Sequence, residues 1–223
     1  MTSITQGYSI AVNSAVDNNI TAFKAEAATI TSASDLLNND TVLSMIMSTY
    51  GLDSSTDNSS ILSALLTQDP TSSTSLAQTS GSTAWQDFAT AFKSLGQNNG
   101  TATSTPFTSA TISSIASKYT SVIDSGTTSA IASFKSDAAG ITSVSSLLSN
   151  STALQVVLGA YGLGSLASDP AVVKTLLTQD PDSSTSLAQT SGNTAWQAFA
   201  QAFKAWGQNN GQGAIMSTSF VAS

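Results

Sequence analysis

One long stretch of sequence occurs twice in this chain of 223 residues. A constant offset of 111 residues aligns the two stretches without a gap, as from Tyr8 to Tyr119 and from Trp85 to Trp196. The runs LLTQDP, SSTSLAQTSG, TAWQ, AFK and GQNNG recur letter for letter. Any fold of this chain must therefore accommodate the same pattern of core and turn residues twice.

The repeat sets the expected domain organisation. Copy one is assigned to residues 1–100, a connector to 101–111, copy two to 112–211 and a C-terminal tail to 212–223. Two copies are too few for a solenoid whose units merely stack, whereas a unit of about 100 residues can enclose a core of its own. We interpret the repeat as a tandem duplication and expect two similar helical-bundle domains.

Apolar residues recur at helical spacing at the start of each copy. In copy one these residues are Ile4, Tyr8, Ala11, Val12, Ile20, Phe23, Ala27 and Ile30. In copy two they are Ile112, Ile115, Tyr119, Val122, Ile123, Ile131, Phe134, Ala138 and Ile141. The spacing predicts an all-α fold in which each copy opens with a long amphipathic helix. Gly126 is the expected place for a break in the second of these helices.

Short motifs predict where the next helices begin and end. Ser32 with Asp35 resembles a capping box, and Asp40 is the expected N-cap of the following helix. Gly51 should end that helix in the left-handed conformation, with Leu52 folding back against it. Copy two repeats this closing signal 111 residues later.

The second half of each copy combines a break with an aromatic helix. Helices are expected at 58–68 and 170–179, each followed by an Asp-Pro pair that disfavours further helix. The last helix of copy one should run over 83–95. Its aromatic row, and that of copy two, is expected to anchor each core: Trp85, Phe88, Phe92, Trp196, Phe199, Phe203 and Trp206, with stops at Gly96 and Gly207.

The side chains that the chain lacks exclude several kinds of function. It has no His and no Cys, and its six basic residues are all Lys. We therefore expect no metal site or cofactor built on His or Cys, no nucleophile activated by His, and no disulfide. Six basic against 13 acidic residues cannot supply a nucleic-acid footprint. No apolar run is long enough to span a membrane.

Few residues remain as candidates for chemistry, and each has a structural explanation. Asp53 and Asp57 faintly resemble a calcium loop but lack its central Gly and terminal Glu, so we interpret them as a solvated loop. Asp69 and Asp180, with Asp182 beside the second, are better helix-stop residues than acid/base groups. The helix charges are expected to be solvated or to pair between helices: Lys24, Glu26, Lys93, Lys135, Asp137 and Lys204. We therefore predict no catalytic, cofactor-binding or metal-binding residue.

A set of core and turn residues resembles a known bacterial family, the domain of unknown function numbered twelve-seventeen. In copy two the residues that carry the resemblance are Phe134, Lys135, Leu147, Leu148, Ala160, Tyr161, Gly162, Leu163, Gln179, Asp180, Pro181, Ser186, Leu187, Ala188, Phe199, Ala200 and Phe203. Copy one matches at nearly all of these positions, with Thr49 in place of Ala160. The resemblance implies a compact helical domain in a flagellar or surface setting and supplies no catalytic residue.

Together these observations predict a non-enzymatic structural protein of the bacterial cell exterior. It would be flagellum-associated or filament-forming and would act by self-assembly, alone or with other flagellar or surface proteins. The alternative is an export-linked chaperone or adaptor that binds another flagellar or secreted subunit. An enzyme is the third class, but a sugar hydrolase needs paired carboxylates and Glu26 is the only Glu in the chain.

The composition also bears on location. The first residues carry neither a basic segment nor a continuous apolar segment of the kind that a cleaved signal peptide has. Charged residues make up only 9% of the chain, and Cys is absent, as in many bacterial filament proteins. We therefore expect an extracellular or cell-surface protein that is exported without a cleaved signal peptide, with a cytoplasmic location as the alternative.

Overall fold

The computed structural model describes residues 2–52, 59–102, 106–213 and 215. Over these residues the protein is all-α, as the periodicity predicts, and it contains no β-strand. Two helices are much longer than the others and open the two copies: α1 (Thr2–Ala27) and α8 (Ser109–Asp137). The predicted break in α8 is wrong, because the helix continues through Gly126. Nothing lies within 4 Å of a Cβ built there, so no contact of the glycine forces a break.

The remaining helices are short and recur in the same order in both copies. In copy one they are α2 (Ala33–Leu37), α3 (Asp40–Tyr50), α4 (Ser59–Thr67), α5 (Leu76–Thr79), α6 (Thr83–Ala91) and α7 (Lys93–Gly96). In copy two they are α9 (Val144–Ser149), α10 (Ser151–Ala160), α11 (Pro170–Thr178), α12 (Leu187–Thr190), α13 (Thr194–Ala202) and α14 (Lys204–Gln208). Copy two also has short 3₁₀ segments at Ala138–Gly140 and Gly164–Ser168.

The helix ends follow the predicted signals, with one correction. Gly51 is left-handed, with φ 64° and ψ 33°, and the Leu52 N–H donates to the Met47 carbonyl at 2.9 Å, as in a Schellman-type end. The N-cap of α3 is Asn39 rather than Asp40, because the Asn39 side chain accepts from the Val42 N–H at 2.9 Å. An amide oxygen here replaces the predicted carboxylate in the same role.

The start of α2 satisfies only half of the predicted capping box. The Ser32 hydroxyl accepts from the Asp35 N–H at 3.0 Å. The Asp35 carboxylate, however, accepts from the N–H and the hydroxyl of Thr31, at 2.9 and 2.8 Å. The equivalent turn in copy two forms the complete box, between Ser143 and Ser146.

The turn after each Asp-Pro pair is held by the same side-chain bonds in both copies. In copy one, the Gln68 side chain accepts from the Leu76 N–H at 2.6 Å, and the Gln78 side chain donates to the Pro70 carbonyl at 2.8 Å. The same two bonds, with the same distances, recur in copy two. Each bond joins a side chain to backbone eight residues away, so the turn depends on these particular glutamines.

The predicted last helix is interrupted. In copy one, α6 ends at Ala91 and α7 begins at Lys93, with Phe92 between them at φ −104° and ψ 24°. Gly207 lies within α14 instead of ending a helix. A Cβ at Gly207 would collide with the Gln179 carbonyl oxygen, so this glycine serves close packing against the preceding turn.

The predicted aromatic rows are buried only in part. The fully buried members are Phe88, Phe92, Phe199, Phe203 and Trp206, whereas Trp85 and Trp196 are half-exposed. The two copies complete these cores differently. In copy one, Phe107 lies 5.5 Å from Phe92 between ring centroids, although it comes from the segment that we assigned as a connector. In copy two, Trp206 of α14 lies 5.0 Å from Phe203.

The chain divides into two compact units. One, the continuous unit, is Val16–Asp124, and the other, the split unit, combines Met1–Ala15 with Ser125–Ser223. The boundaries of these units differ from those of the sequence repeat at 1–100 and 112–211. Each unit consequently combines the first part of one copy's opening helix with the second part of the other copy's opening helix and with that other copy's shorter helices.

Candidate functional site

The feature that most distinguishes the two units is the helix face that receives the opening segment. In the split unit, Thr2–Ala15 of α1, the copy-one segment, packs on Gly159 and Ala160 of α10, which we call the α10 face. A Cβ built at Gly7 lies 3.1 Å from the Ala160 carbonyl oxygen, and one built at Gly159 lies 2.6 Å from the Tyr8 ring. The contact is thus close packing that glycine permits on both sides.

Apolar burial strengthens this contact. Ile4 is 1% exposed and Tyr8 is 7% exposed, and both belong to the hydrophobic core of the split unit together with residues such as Val157 and Phe199. Val12 is partly buried against the same core. Burying side chains of this size contributes about 1.5–3 kcal/mol each, so the copy-one segment is part of the core of the split unit.

In the continuous unit the opening segment, Ser109–Asp124 of α8, buries Ile115 (2% exposed) and Ala116 (7% exposed) and also makes polar contacts. We call this segment the copy-two segment, and we call the end of α3 that carries Tyr50, with its neighbours Ser48 and Thr49, the α3 face. The Lys118 ammonium lies 4.2 Å from the centroid of the Tyr50 ring, and the Asn19 side chain donates to the Tyr119 hydroxyl at 2.9 Å. A cavity of about 380 Å³ remains beside Tyr119, lined by Asn19, Asp40, Thr41, Ser44, Met45 and Tyr119.

A second feature, the α2 groove, recurs in both copies. In copy one it has a volume of about 550 Å³ and lies between α2, α4 and the Gln-Asn-Asn-Gly turn. The equivalent groove in copy two has about 320 Å³, and Val144 and Lys174 line it where copy one has Ala33 and Ser63. Gly100 forms part of the copy-one groove with a φ of 82°, which favours glycine.

The α2 grooves are lined mainly by hydroxyl, amide and backbone groups. Serine, threonine and asparagine side chains dominate in copy one, and Lys174 is the charged side chain among the described residues that line the copy-two groove. The hydroxyl and amide groups can form hydrogen bonds but do not ionise near neutral pH. The described linings of the grooves therefore provide hydrogen-bonding groups rather than acid/base groups.

The candidate carboxylates of the Asp-Pro turns accept hydrogen bonds from residues of the same turn. Asp69 accepts from the Thr71 N–H at 2.9 Å and from the Thr71 hydroxyl at 2.8 Å. These bonds lower the pKa of the Asp69 carboxyl. Asp180 accepts from the Asp182 N–H at 3.1 Å in the equivalent turn. Both residues thus act as turn-forming side chains.

One ion pair occurs within the described residues, between Lys204 and Asp182. Bonds from Lys204 and then Gln201 lower the pKa of the Asp182 carboxyl, and the carboxyl in turn raises the pKa of Lys204. Both side chains are more than 40% exposed, so the pair contributes little to stability. Lys24 and Lys135 take part in no ion pair within the described part of the chain. Asp53 and Asp57 lie outside the described residues.

Three tyrosines are held in the neutral form by burial. Burial raises the pKa of Tyr161 to about 12, and it also raises the pKa of Tyr8 and of Tyr50, the latter with help from Asp87. A phenol with such a pKa remains protonated at neutral pH and cannot act there as a base. These tyrosines therefore act through packing.

Sequence reasoning missed the residues that build the two faces. Gly7 and Gly159 carry no motif, and Lys118 stands outside the predicted set of helix charges. Their only signal is that the two copies differ at these positions, since Gly7 aligns with Lys118 and Gly159 with Ser48.

Two further kinds of site, a metal-binding cluster and a membrane-spanning helix, each leave a recognisable structural pattern. Within the described residues, no three His, Cys, Asp or Glu side chains form a group that could hold a metal ion. None of the described helices has the length and apolarity that crossing a bilayer requires.

Comparison with protein families assigns the chain. The model of a family described as a protein of unknown function, DUF1217, matches residues 49–168 and again 160–222. The chain belongs to this family. The two DUF1217 matches do not follow the boundaries of the sequence copies, because the first begins within α3 and continues beyond α10. No curated protein and no solved structure matches the chain.

Proposed function

We propose that this DUF1217 protein is a non-enzymatic structural protein that acts by self-assembly at the bacterial cell exterior, in a flagellum-associated or filament-forming role. The observation that carries the proposal is the composition of the split unit. Its two parts, Met1–Ala15 and Ser125–Ser223, are separated in sequence by the whole continuous unit. One chain thus contains both a helical segment and a distant face shaped to receive it, and such complementary surfaces are what a head-to-tail assembly requires.

The chemistry of the described cavities supports a role without catalysis. The cavity beside Tyr119 has Asp40 as its one acidic side chain among the described lining residues, and the α2 grooves are lined mainly by neutral groups. General acid/base catalysis needs titratable groups positioned together on a substrate. Contacts between folded surfaces need only shape and hydrogen bonds, which these features provide.

The low charge supports dense assembly at the cell exterior. Lys, Asp and Glu together make up 9% of the chain, so copies packed closely would repel one another weakly. The absence of Cys prevents accidental crosslinks in an oxidising environment. The flagellar setting itself rests on the family resemblance.

The test is to image the purified protein by negative-stain microscopy over a range of concentrations and to assay culture supernatant and cell fractions. Self-assembly predicts ordered oligomers or filaments and protein outside the cell. A monodisperse monomer confined to the cytoplasm would contradict the proposal. The alternative, an export-linked chaperone or adaptor, predicts retention in the cell and a complex with another flagellar or secreted subunit in a pull-down.

A further inference from the structure

The two units differ in whether their parts are contiguous in the sequence. The continuous unit is a single stretch, Val16–Asp124, so all its parts belong to one chain. The split unit needs Met1–Ala15 to meet Ser125–Ser223, and the contacts between them are the same whichever chain supplies the first part. The split unit can therefore be assembled from parts of two chains.

The α10 face discriminates strongly among possible occupants. It presents the bare backbone of Gly159 to the Tyr8 ring and the Ala160 carbonyl to Gly7. A helix with a side chain at the position of Gly7 would crowd the Ala160 carbonyl oxygen, because a Cβ built there lies 3.1 Å from it. The copy-two segment has Lys118 at the position of Gly7, so it does not fit this face as the copy-one segment does.

We propose that the copy-one segment, Thr2–Ala15, also docks on the α10 face of a second copy of the chain and that this exchange links subunits in the assembly. The proposal rests on the proposed function and identifies the surface and the partner. Reciprocal exchange between two chains gives a closed dimer, and exchange in one direction gives an open polymer. Because the same face is filled within a chain at low concentration, exchange increases with protein concentration.

The absence of Cys from the chain allows a direct crosslinking test. A Cβ built at Gly7 lies 3.4 Å from the Ala160 Cβ, close to the spacing of about 3.5–4.5 Å in disulfides. Chains carrying only Gly7→Cys are mixed with chains carrying only Ala160→Cys, refolded together, concentrated and oxidised. We expect a disulfide between Cys-bearing positions 7 and 160 of different chains, identified by mass spectrometry, with a yield that increases with concentration.

The matched control uses the continuous unit. Lys118→Cys and Thr49→Cys change the positions that align with Gly7 and Ala160. Mixed chains carrying one change each should give no disulfide between chains above the level of the separate variants, since both positions stay within one chain. A yield equal to that of the 7 and 160 pair would overturn the proposal, because the crosslinks would then reflect random collision.

A locked variant separates this proposal from the proposed function. Gly7→Cys and Ala160→Cys in one chain, oxidised when dilute, should hold the copy-one segment in its own split unit and abolish assembly, and reductant should restore it. Assembly of the oxidised chain equal to that of the reduced chain would overturn helix exchange and leave self-assembly standing. A wild-type chain that never assembles would overturn both, and failure to form the disulfide within the double variant would contradict the contact itself.

Discussion

The split unit and the continuous unit receive their opening segments by different means. On the α10 face, glycines on both sides allow the Tyr8 ring and the backbone of α10 to approach closely. In the continuous unit, Lys118 covers the Tyr50 ring of α3 and Asn19 of α1 donates to the Tyr119 hydroxyl, beside a cavity of about 380 Å³. Both segments bury apolar side chains, but close packing against glycine selects a partner by shape, whereas the polar contacts of the copy-two segment leave space beside them. The two copies thus share the same helices but differ in the contacts that their opening segments make.

The two cores also differ in the aromatic ring that completes them, and this difference carries the largest expected effect. Phe107→Ala and Trp206→Ala should each destabilise their own unit by about 3–5 kcal/mol, the usual cost of removing a buried aromatic side chain. Urea unfolding followed by circular dichroism measures the change. The exposed neighbour Thr101→Ala should stay within about 0.5 kcal/mol. A loss for Phe107→Ala no larger than this control would show that 101–111 is only a connector.

Substitution by valine at equivalent positions of the α10 face and the α3 face compares how closely each face is packed. Gly159→Val places a branched side chain against the Tyr8 ring, and overpacking of this kind costs about 1–3 kcal/mol. Ser48 aligns with Gly159 and is exposed, so Ser48→Val should change the free energy of unfolding by less than about 0.5 kcal/mol. Equal effects in the unfolding curves would contradict the assignment of close packing to the split unit alone.

A smaller effect should follow from the cation on the α3 face. Lys118→Met keeps the apolar stem but removes the ammonium from the Tyr50 ring, which should cost about 0.5–1 kcal/mol. Lys174→Met, at an exposed position without an aromatic contact among the described residues, is the matched control and should be neutral. If both variants unfold at the same denaturant concentration, the ring contact contributes nothing.

The smallest expected effect is a loss of stability at low pH. The carboxyls of Asp69 and Asp182 have lowered pKa values in the folded protein, the first through bonds from Thr71 and the second through Lys204. A lowered folded pKa means that the stabilisation is present above the unfolded value of about 3.9 and is lost as the pH falls through the folded value. NMR titration of the carboxyl carbons should show both below 3.9. Lys204→Met should return Asp182, but not Asp69, towards the ordinary range.

Sequence reasoning reached much of the fold because local chemistry determines it. The amphipathic helices, the left-handed Gly51 and the Asp-Pro turns depend on residues near one another in the chain. The misplaced N-cap at Asp40 reflects a choice between adjacent polar residues, which propensity does not resolve. The continuous α8 shows that one glycine in a long helix does not suffice to break it.

The assignment of each opening segment to a unit could not be predicted. A helix has the same apolar stripe whether it packs on its own copy or on the other, so periodicity cannot name its partner. The two copies differ at Gly7 and Gly159, but this difference indicates the partner of the opening segment only when the contact between Thr2–Ala15 and α10 is already known. The candidate site therefore depends on tertiary structure, while the individual helices do not.

The central claim is that the opening segment of copy one completes the unit formed by copy two. Hydrogen exchange measured by mass spectrometry on Tyr8→Ala tests it most directly, with Tyr119→Ala as the mirror variant. The account predicts that Tyr8→Ala accelerates exchange in α10 (Ser151–Ala160) and leaves α3 (Asp40–Tyr50) protected, while Tyr119→Ala does the reverse. Loss of protection in α3 on changing Tyr8, with α10 unaffected, would contradict the account.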